Sequence, residues 1–323
     1  MSAAPSVSIV LAVHNGAQWL DDCLTSLTNQ TFADCEFIVV DDGSTDSTAH
    51  QLSVAAAADT RIRVICQENT GLTRALKVGC DAARGRYIAR QDVDDRSAPT
   101  RIARQFEVLE SDSGAVLASS WVEDLTPEGV RAGLHMETVH KVELGDGDSF
   151  SMPGIAAHGS VMMRSSALQT CGGYHSEFYY AQDSDLWLRM IEQGRFVIVP
   201  EVLYMRVVSA ESISARFASL QHAFSEIARR CFVARRSGAD ESALLDEAAV
   251  LYGVCRATRG LPTSARARAQ SLLLIGAQVE VMDARLAGHY YVRALRAFPL
   301  SPRVWRALAR CLLRGGSGRL SNV

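Results

Sequence analysis

In the run Tyr87-Ile88-Ala89-Arg90-Gln91-Asp92-Val93-Asp94-Asp95, an apolar strand pattern ends in three carboxylates spread over four residues. Like charges at this spacing repel one another, so packing them at a strand end calls for a compensating cation. Hard oxygen donors suit Mg²⁺ or Mn²⁺, and such an ion commonly carries a diphosphate. Taken alone, the same run also describes a solvated acidic turn. Its surroundings decide between the two.

A second carboxylate pair, Asp183 and Asp185, opens the helical pattern Gln182-Asp183-Ser184-Asp185-Leu186-Trp187-Leu188-Arg189. The helix dipole stabilises acids in a first turn whether or not they do chemistry. The same dipole would keep Asp183 ionised, as a general base requires. Asp41 and Asp42 are acceptors suited to the N–H and O–H donors of a nucleoside. Asp92 could accept from ribose hydroxyls while Asp94 reaches a metal between the phosphates. His14 could offer an aromatic face to a base, or be a polar strand terminus. Arg74 could screen a phosphate, or be an ordinary exposed helical arginine.

The elements that must position these residues alternate regularly. Strand patterns at 7–13, 36–40, 61–66 and 86–91 are separated by helical patterns at 17–29, after 46, and at 72–83. That alternation predicts βαβ units and a parallel sheet with both faces covered, hence an α/β fold. Parallel sheets bind ligands at the carboxyl ends of their strands. His14-Asn15, Asp41-Asp42 and Asp92-Val93-Asp94 then fall on one edge. Further along, the sequence predicts a helix at 99–110, a strand at 115–120 and a loop-rich excursion over 122–150. It also predicts strands at 159–164, 196–199 and 202–208, with a helix at 183–193. From about Ser214 the chain becomes Ala-, Leu- and Arg-rich and helical. Residues 288–299 faintly suggest a tetratricopeptide helix, but too few repeats are visible for a solenoid.

The bulk numbers limit the function classes. The chain has 323 residues, about two domains' worth, with 48% hydrophobic and 21% charged residues and a net charge of −3. That balance gives no reason to expect nucleic acid as a partner. Eight cysteines without a C-x-x-C pair argue against zinc and a disulfide framework, and fit a reducing cytosol. No basic residue precedes the apolar stretch 7–13, which therefore does not read as a signal peptide. No run approaches the roughly 18 apolar residues of a membrane span, which leaves peripheral attachment open.

Together these segments resemble the family 2 inverting glycosyltransferases. Residues 7–16 look like that family's opening strand, and Ile38-Val39-Val40-Asp41-Asp42-Gly43-Ser44-Thr45-Asp46 like its second strand and turn. Asn69-Thr70-Gly71-Leu72 and Asp92-Val93-Asp94-Asp95 match its later nucleotide and metal motifs. His158-Gly159-Ser160-Val161-Met162-Met163-Arg164 and Gln182-Asp183-Ser184-Asp185-Leu186-Trp187 resemble its acceptor-side strand and catalytic helix. The likeness covers about residues 5–215, in order.

The resemblance implies a GT-A fold over residues 1–213, with a donor half at about 5–98, an acceptor half at 99–213 and a helical region at 214–323. It implies a nucleotide-diphosphate sugar donor, a UDP-sugar foremost, and a divalent metal, Mn²⁺ or Mg²⁺. The acceptor would be a saccharide or lipid-linked saccharide. Asp41 and Asp42 would hold the nucleoside, His14 would stack on the base, and Arg74 would lie at the donor. Asp92 and Asp94 would form the D-x-D pair, Asp183 would be the base, and His158 and Trp187 would lie on the acceptor side. The setting implied is polysaccharide or glycoconjugate assembly in the cytoplasm. By its Ala-, Leu- and Arg-rich composition, rather than by the resemblance, the helical tail would serve docking, contact with the inner membrane face or self-association, or would simply complete the core.

Two positions depart from the family pattern: Gln182 where Glu often precedes the base, and Val208 where a histidine often follows the next strand. Both leave strict metal dependence open. A dehydrogenase would show G-x-G-x-x-G after the first strand, which His14-Asn15-Gly16-Ala17-Gln18-Trp19 is not. A nucleotidyltransferase shares the nucleotide chemistry but needs no acceptor helix. A degenerate transferase-like binding protein would not need Asp92, Asp94 and Asp183 intact.

Overall fold

Seven consecutive residues with no exposed side chain form β1 (Val7–Val13), as a central strand covered on both faces requires. The computed structural model describes residues 4–136, 141–143, 157–210, 217–258 and 264–317. After β1 come α1 (Ala17–Thr28), β2 (Cys35–Asp42), α2 (Thr48–Ala58), β3 (Ile62–Gln67), α3 (Leu72–Asp81) and β4 (Tyr87–Gln91). Leu20, Cys23, Leu24 and Leu27, spaced three and four apart, turn one face of α1 into the core. The strands lie in the order β3-β2-β1-β4, all parallel, with Val13 level with Asp41 and Leu11 level with Gln91. The three polar strand ends therefore do share one edge.

The second half of the sheet is mixed, which the sequence did not disclose. It contains β5 (Arg96–Ser97), β6 (Ala115–Leu125), β7 (Arg131–His135), β8 (Lys141–Val142), β9 (Met162–Arg164) and β10 (Arg195–Val207), with helices α4 (Arg101–Ser111), α5 (Ser165–Thr170) and α6 (Gln182–Met190). Beyond β4 the order continues β9-β6-β10-β5, and β9 runs antiparallel to both β4 and β6, as β8 and β5 do to β10. An antiparallel neighbour starts where its partner ends. The turn before β9, His158–Ser160, is thus delivered to the carboxyl end of β4.

Three local expectations are corrected. The strand expected at 159–164 begins only at Met162, after a 3-10 turn. The two strands expected at 196–199 and 202–208 are one, because Pro200 sits exposed within β10 without ending it. The excursion expected at 122–150 holds the end of β6 together with β7 and β8; residues 137–140 and 144–150 of it lie outside the described residues.

The division into compact units also departs from a boundary at 213/214, a position outside the described residues. Unit 1 comprises residues 1–122, 136–205 and 222–257; unit 2 comprises 123–135, 206–221 and 258–323. Helices α7 (Ala218–Arg236) and α8 (Ser242–Thr258) fall largely in unit 1. Phe224 packs against Phe178 and Tyr180, Tyr252 packs against Tyr179, and Arg235 pairs with Glu192. Composition separates these helices from the sheet; aromatic contacts join them to it. Unit 2 has its own core of Ala132, Leu272, Ile275, Tyr290, Tyr291 and Leu295, supplied largely by α9 (Ala265–Val279), α10 (Ala284–Ala297) and α11 (Pro302–Ser317).

Candidate active site

At the ends of β1 and β2 two turns interlock. Asn15, in the left-handed region at φ 54°, accepts the Thr45 N–H on its side-chain oxygen at 2.7 Å. Its own N–H donates to Ser44 Oγ at 2.9 Å. Gly43 makes the second turn possible at φ +71°, where a Cβ would lie 2.7 Å from Asn69 N. Asp41 Oδ1 accepts the Ser44 N–H at 2.9 Å. Asp42, buried like Asp41, holds the loop after β3. Its Oδ1 accepts from Gln67 Nε2 and Thr70 N, each at 2.8 Å, and its Oδ2 accepts the Gly71 N–H at 2.8 Å. Asp42 thus builds the wall of the site, and Oδ2 retains one lone pair for a ligand. His14 is exposed, and its ring meets the Asp42 carbonyl at 3.0 Å and Asn69 Nδ2 at 2.7 Å through Nδ1. One ring face is therefore positioned by the same two turns.

At the end of β4 the arrangement is electrostatic. Arg90 is 1% exposed and ion-pairs with Asp92. Burial alone would depress its pKa, but the Asp92 carboxylate reverses that and holds it above the ordinary value. Asp94 is pushed up to about 6, first by burial and then by the charge of Asp92. Tyr204 reaches in from β10, and its Oη accepts the Asp92 N–H at 3.2 Å. Gly159 is required by this closeness: a Cβ there would lie 1.8 Å from Tyr204 Oη and 2.9 Å from Asp92 Oδ2. His158 follows, with Nε2 2.6 Å from Tyr174 Oη. Burial, aided by Arg90, lowers the His158 pKa well below its usual value, so the ring is neutral at pH 7.

Asp183 stands at the start of α6. Ala181, in the left-handed region at φ 53° and ψ 27°, turns the chain into that helix. Such a conformation costs a non-glycine residue about 1–3 kcal/mol and is found where a site demands it. Asp183 Oδ1 accepts the Ser184 N–H at 2.8 Å. Burial raises its pKa and Asp92 adds to the rise, against the Ser184 N–H and the Arg90 charge. Asp185 faces elsewhere. It is 1% exposed and pairs with Arg189 at 2.5 Å and His175 at 3.3 Å. Arg189 in turn donates to the carbonyls of Cys171 and Gly173. Trp187 is 4% exposed, edge-on to His158 with ring centroids 5.7 Å apart. It supports His158 and offers an acceptor little surface.

Asp92 pairs directly with the buried Arg90, and the same positive charge steadies the carboxylates of Asp94 and Asp183. Among the described residues no group of three or more metal-ligating side chains gathers. A divalent ion would fit as Mg²⁺ commonly binds, on one or two carboxylates with the rest of its shell from phosphate and water. Asp94, held protonatable near pH 6 by burial and by Asp92, is the carboxylate such an ion would relieve most. Arg74, in the first turn of α3, has its guanidinium 4.5 Å from the Tyr252 ring centroid and is not simply solvated. The residues missed from sequence are Arg90, Tyr204, Tyr174 and Tyr252. A lone arginine inside an apolar strand was the available signal for Arg90.

A family model described as glycosyl transferase family 2 matches residues 8–169. A Bacillus subtilis protein described as "Putative glycosyltransferase EpsE" is 33% identical over 215 residues, 63% of this chain and 73% of that protein. The Escherichia coli chondroitin synthase is 26% identical over 223 residues, 68% of this chain, which spans only 32% of that synthase. Among solved structures, residues 1–349 of Staphylococcus aureus TarS in complex with UDP align with a TM-score of 0.57 at 16% identity, covering 97% of this chain and 92% of that one. The mannosyltransferase PcManGT of Pyrobaculum calidifontis, in complex with GDP-Man and Mn²⁺, aligns at 0.54 and 16% identity, covering 99% and 88%. At these identities the structural likeness speaks for the fold, which is GT-A-like.

Proposed function

The chain belongs to glycosyl transferase family 2, and from that premise we propose that its strand-end carboxylate site transfers a sugar from a nucleoside diphosphate onto a saccharide hydroxyl, with inversion. The observation that supports the residue assignment is the placing of Asp92 and Asp94 in the turn after β4 and of Asp183 at the start of α6, with the buried Arg90 pairing with Asp92 and acting electrostatically on the other two.

The nucleoside lies against His14 and the free lone pair of Asp42, and Asp92 accepts from the ribose. Arg74 faces the diphosphate. Asp94, with Asp92, would hold a divalent ion, whose positive charge would stabilise the leaving diphosphate. Asp183 accepts the acceptor's hydroxyl proton while that oxygen bonds to the anomeric carbon from the side opposite the phosphate. The bond between anomeric carbon and phosphate oxygen breaks, and its electron pair leaves with the nucleoside diphosphate. A carboxylate is a weak base toward an alcohol, so proton transfer comes late, once the attacking oxygen carries positive charge. The burial that raises the Asp183 pKa makes it a stronger base, and the neutral His158 beside Trp187 lines the acceptor side.

Metal use is tested by titrating UDP into the protein calorimetrically, with Mn²⁺ and with chelator. Affinity is expected to be higher with Mn²⁺, and Asp94→Asn should abolish that difference while the thermal midpoint stays put. Equal affinity in both buffers would remove the metal from the account and draw attention to Val208.

Among the described residues no helix is long and apolar enough to cross a membrane. Helix α11 exposes Trp305, Leu312 and Leu313 along with Arg303 and Arg306, a composition suited to lying on an anionic bilayer surface. Peripheral placement at the inner membrane face is accordingly part of the proposal. Co-sedimentation with phosphatidylserine vesicles, lost in Leu312→Glu/Leu313→Glu, is expected; equal sedimentation of both proteins would refute it.

A further inference from the structure

Helix α8 begins well beyond residue 169, where the family match ends, yet it supplies a residue to the donor loop. Tyr252 is 7% exposed, and its hydroxyl donates to the Thr70 carbonyl at 2.7 Å, across 182 positions of sequence. Its ring meets Tyr179 edge-on at 5.2 Å between centroids. On it lies the Arg74 guanidinium, 4.5 Å from the ring centroid. A Cβ on Gly71 would lie 3.3 Å from the Tyr179 ring and 3.9 Å from the Tyr252 hydroxyl. The same loop is gripped from below by Asp42, through the N–H groups of Thr70 and Gly71. Residues 70–71 are therefore clamped between a carboxylate of β2 and a tyrosine of α8.

We propose that Tyr252 is a positioning residue of the nucleotide-sugar site: it fixes the 70–71 loop and holds Arg74 toward the donor's diphosphate, making α8 part of donor recognition. This rests on the reading of the strand-end site as a donor site. Two chemical facts favour it over plain packing. A hydroxyl bonded to one backbone carbonyl sets the loop's position, where an apolar side chain would only fill space. An arginine stacked on an aromatic face keeps its N–H groups in the plane of the guanidinium, directed outward from the ring. Arg74 Nε is buried and has no hydrogen-bond partner, so stacking, with no bond at that nitrogen, orients the group.

The test is calorimetric titration of UDP and of GDP, each with Mn²⁺, into the full chain and its variants. Tyr252→Phe keeps the ring and removes the bond to Thr70. It should weaken the nucleotide by about 3–10-fold. Tyr252→Leu also removes the stacking surface and should weaken it by roughly 10–100-fold. Combining Tyr252→Leu with Arg74→Met should cost much less than the two singly, because both remove one arrangement. A purely structural role would lower the thermal midpoint and give additive effects. Variants that fold normally and bind the nucleotide like the wild type, or additive losses, would overturn the proposal and leave the donor site standing. A wild type that binds neither UDP nor GDP would overturn the donor-site reading and this proposal with it.

Discussion

Asp183→Asn is expected to slow sugar transfer by a factor on the order of 10²–10⁴ while leaving nucleotide affinity and thermal stability near wild type. The amide keeps the side chain's size, and its oxygen can still accept the Ser184 N–H that Asp183 accepts now. What is lost is the basic lone pair. Because burial raises the Asp183 pKa, the wild-type rate should fall, as pH is lowered, at a higher pH than an exposed aspartate would dictate. The active form is the carboxylate, so activity is present above that pKa and disappears below it. Asp185→Asn should behave in the opposite way. Its carboxylate is buried in an ion pair with Arg189 and His175, and breaking such a pair costs about 3–5 kcal/mol. It should lower stability and retain whatever turnover the folded fraction supports. Should Asp185→Asn abolish transfer at full stability while Asp183→Asn transfers normally, the base has been assigned to the wrong residue of α6.

Arg101→Ala should destabilise the chain by about 3–5 kcal/mol, because several buried acceptors would lose their donor at once. Arg101 is fully buried and, among the described residues, has no carboxylate in ion-pair range. Its charge is met by neutral acceptors: Gln91 and Ser97 at 2.9 and 2.8 Å, the carbonyls of Arg90 and Val161 at 2.6 and 3.2 Å, and Gln105 at 3.2 Å. Burial accordingly lowers its pKa to about 10. Removing the side chain strands those acceptors and opens a cavity directly behind the strand end that carries Asp92 and Asp94. Urea unfolding of the two proteins measures the difference. A loss under 1 kcal/mol would mean that water or a shifted neighbour takes over, and that Arg101 does not brace the site.

Much of the donor side could be read from sequence because its determinants are local. Periods of two and of three to four residues mark β1 through β4, and polar residues at strand ends follow from the parallel arrangement. The placing of Asp183 in a first helical turn was legible for the same reason. Determinants set by distant partners were not legible. Arg90 matters because β9 and β10 bring Gly159 and Tyr204 against Asp92, and no spacing in the sequence encodes that pairing. Asp42 looked like a free ligand group and turned out to hold residues 70 and 71 in place. Composition and contact disagree for α7 and α8, which read as a tail although Phe224 packs on Phe178 and Tyr252 on Tyr179. The two strands expected at 196–199 and 202–208 are one because Pro200, which removes one ladder donor, lies exposed within β10.

The central claim is that one edge of the sheet, formed by the ends of β1, β2 and β4 with the start of α6, receives the nucleotide. Hydrogen exchange of the full chain, with and without UDP or GDP in the presence of Mn²⁺, measures this without knowledge of the sugar or acceptor. The account predicts slowed exchange in peptides covering 14–16, 42–44, 69–74 and 92–95, and unchanged exchange in α9–α11. Nucleotide binding with protection confined to other segments, or no protection at all, would contradict it.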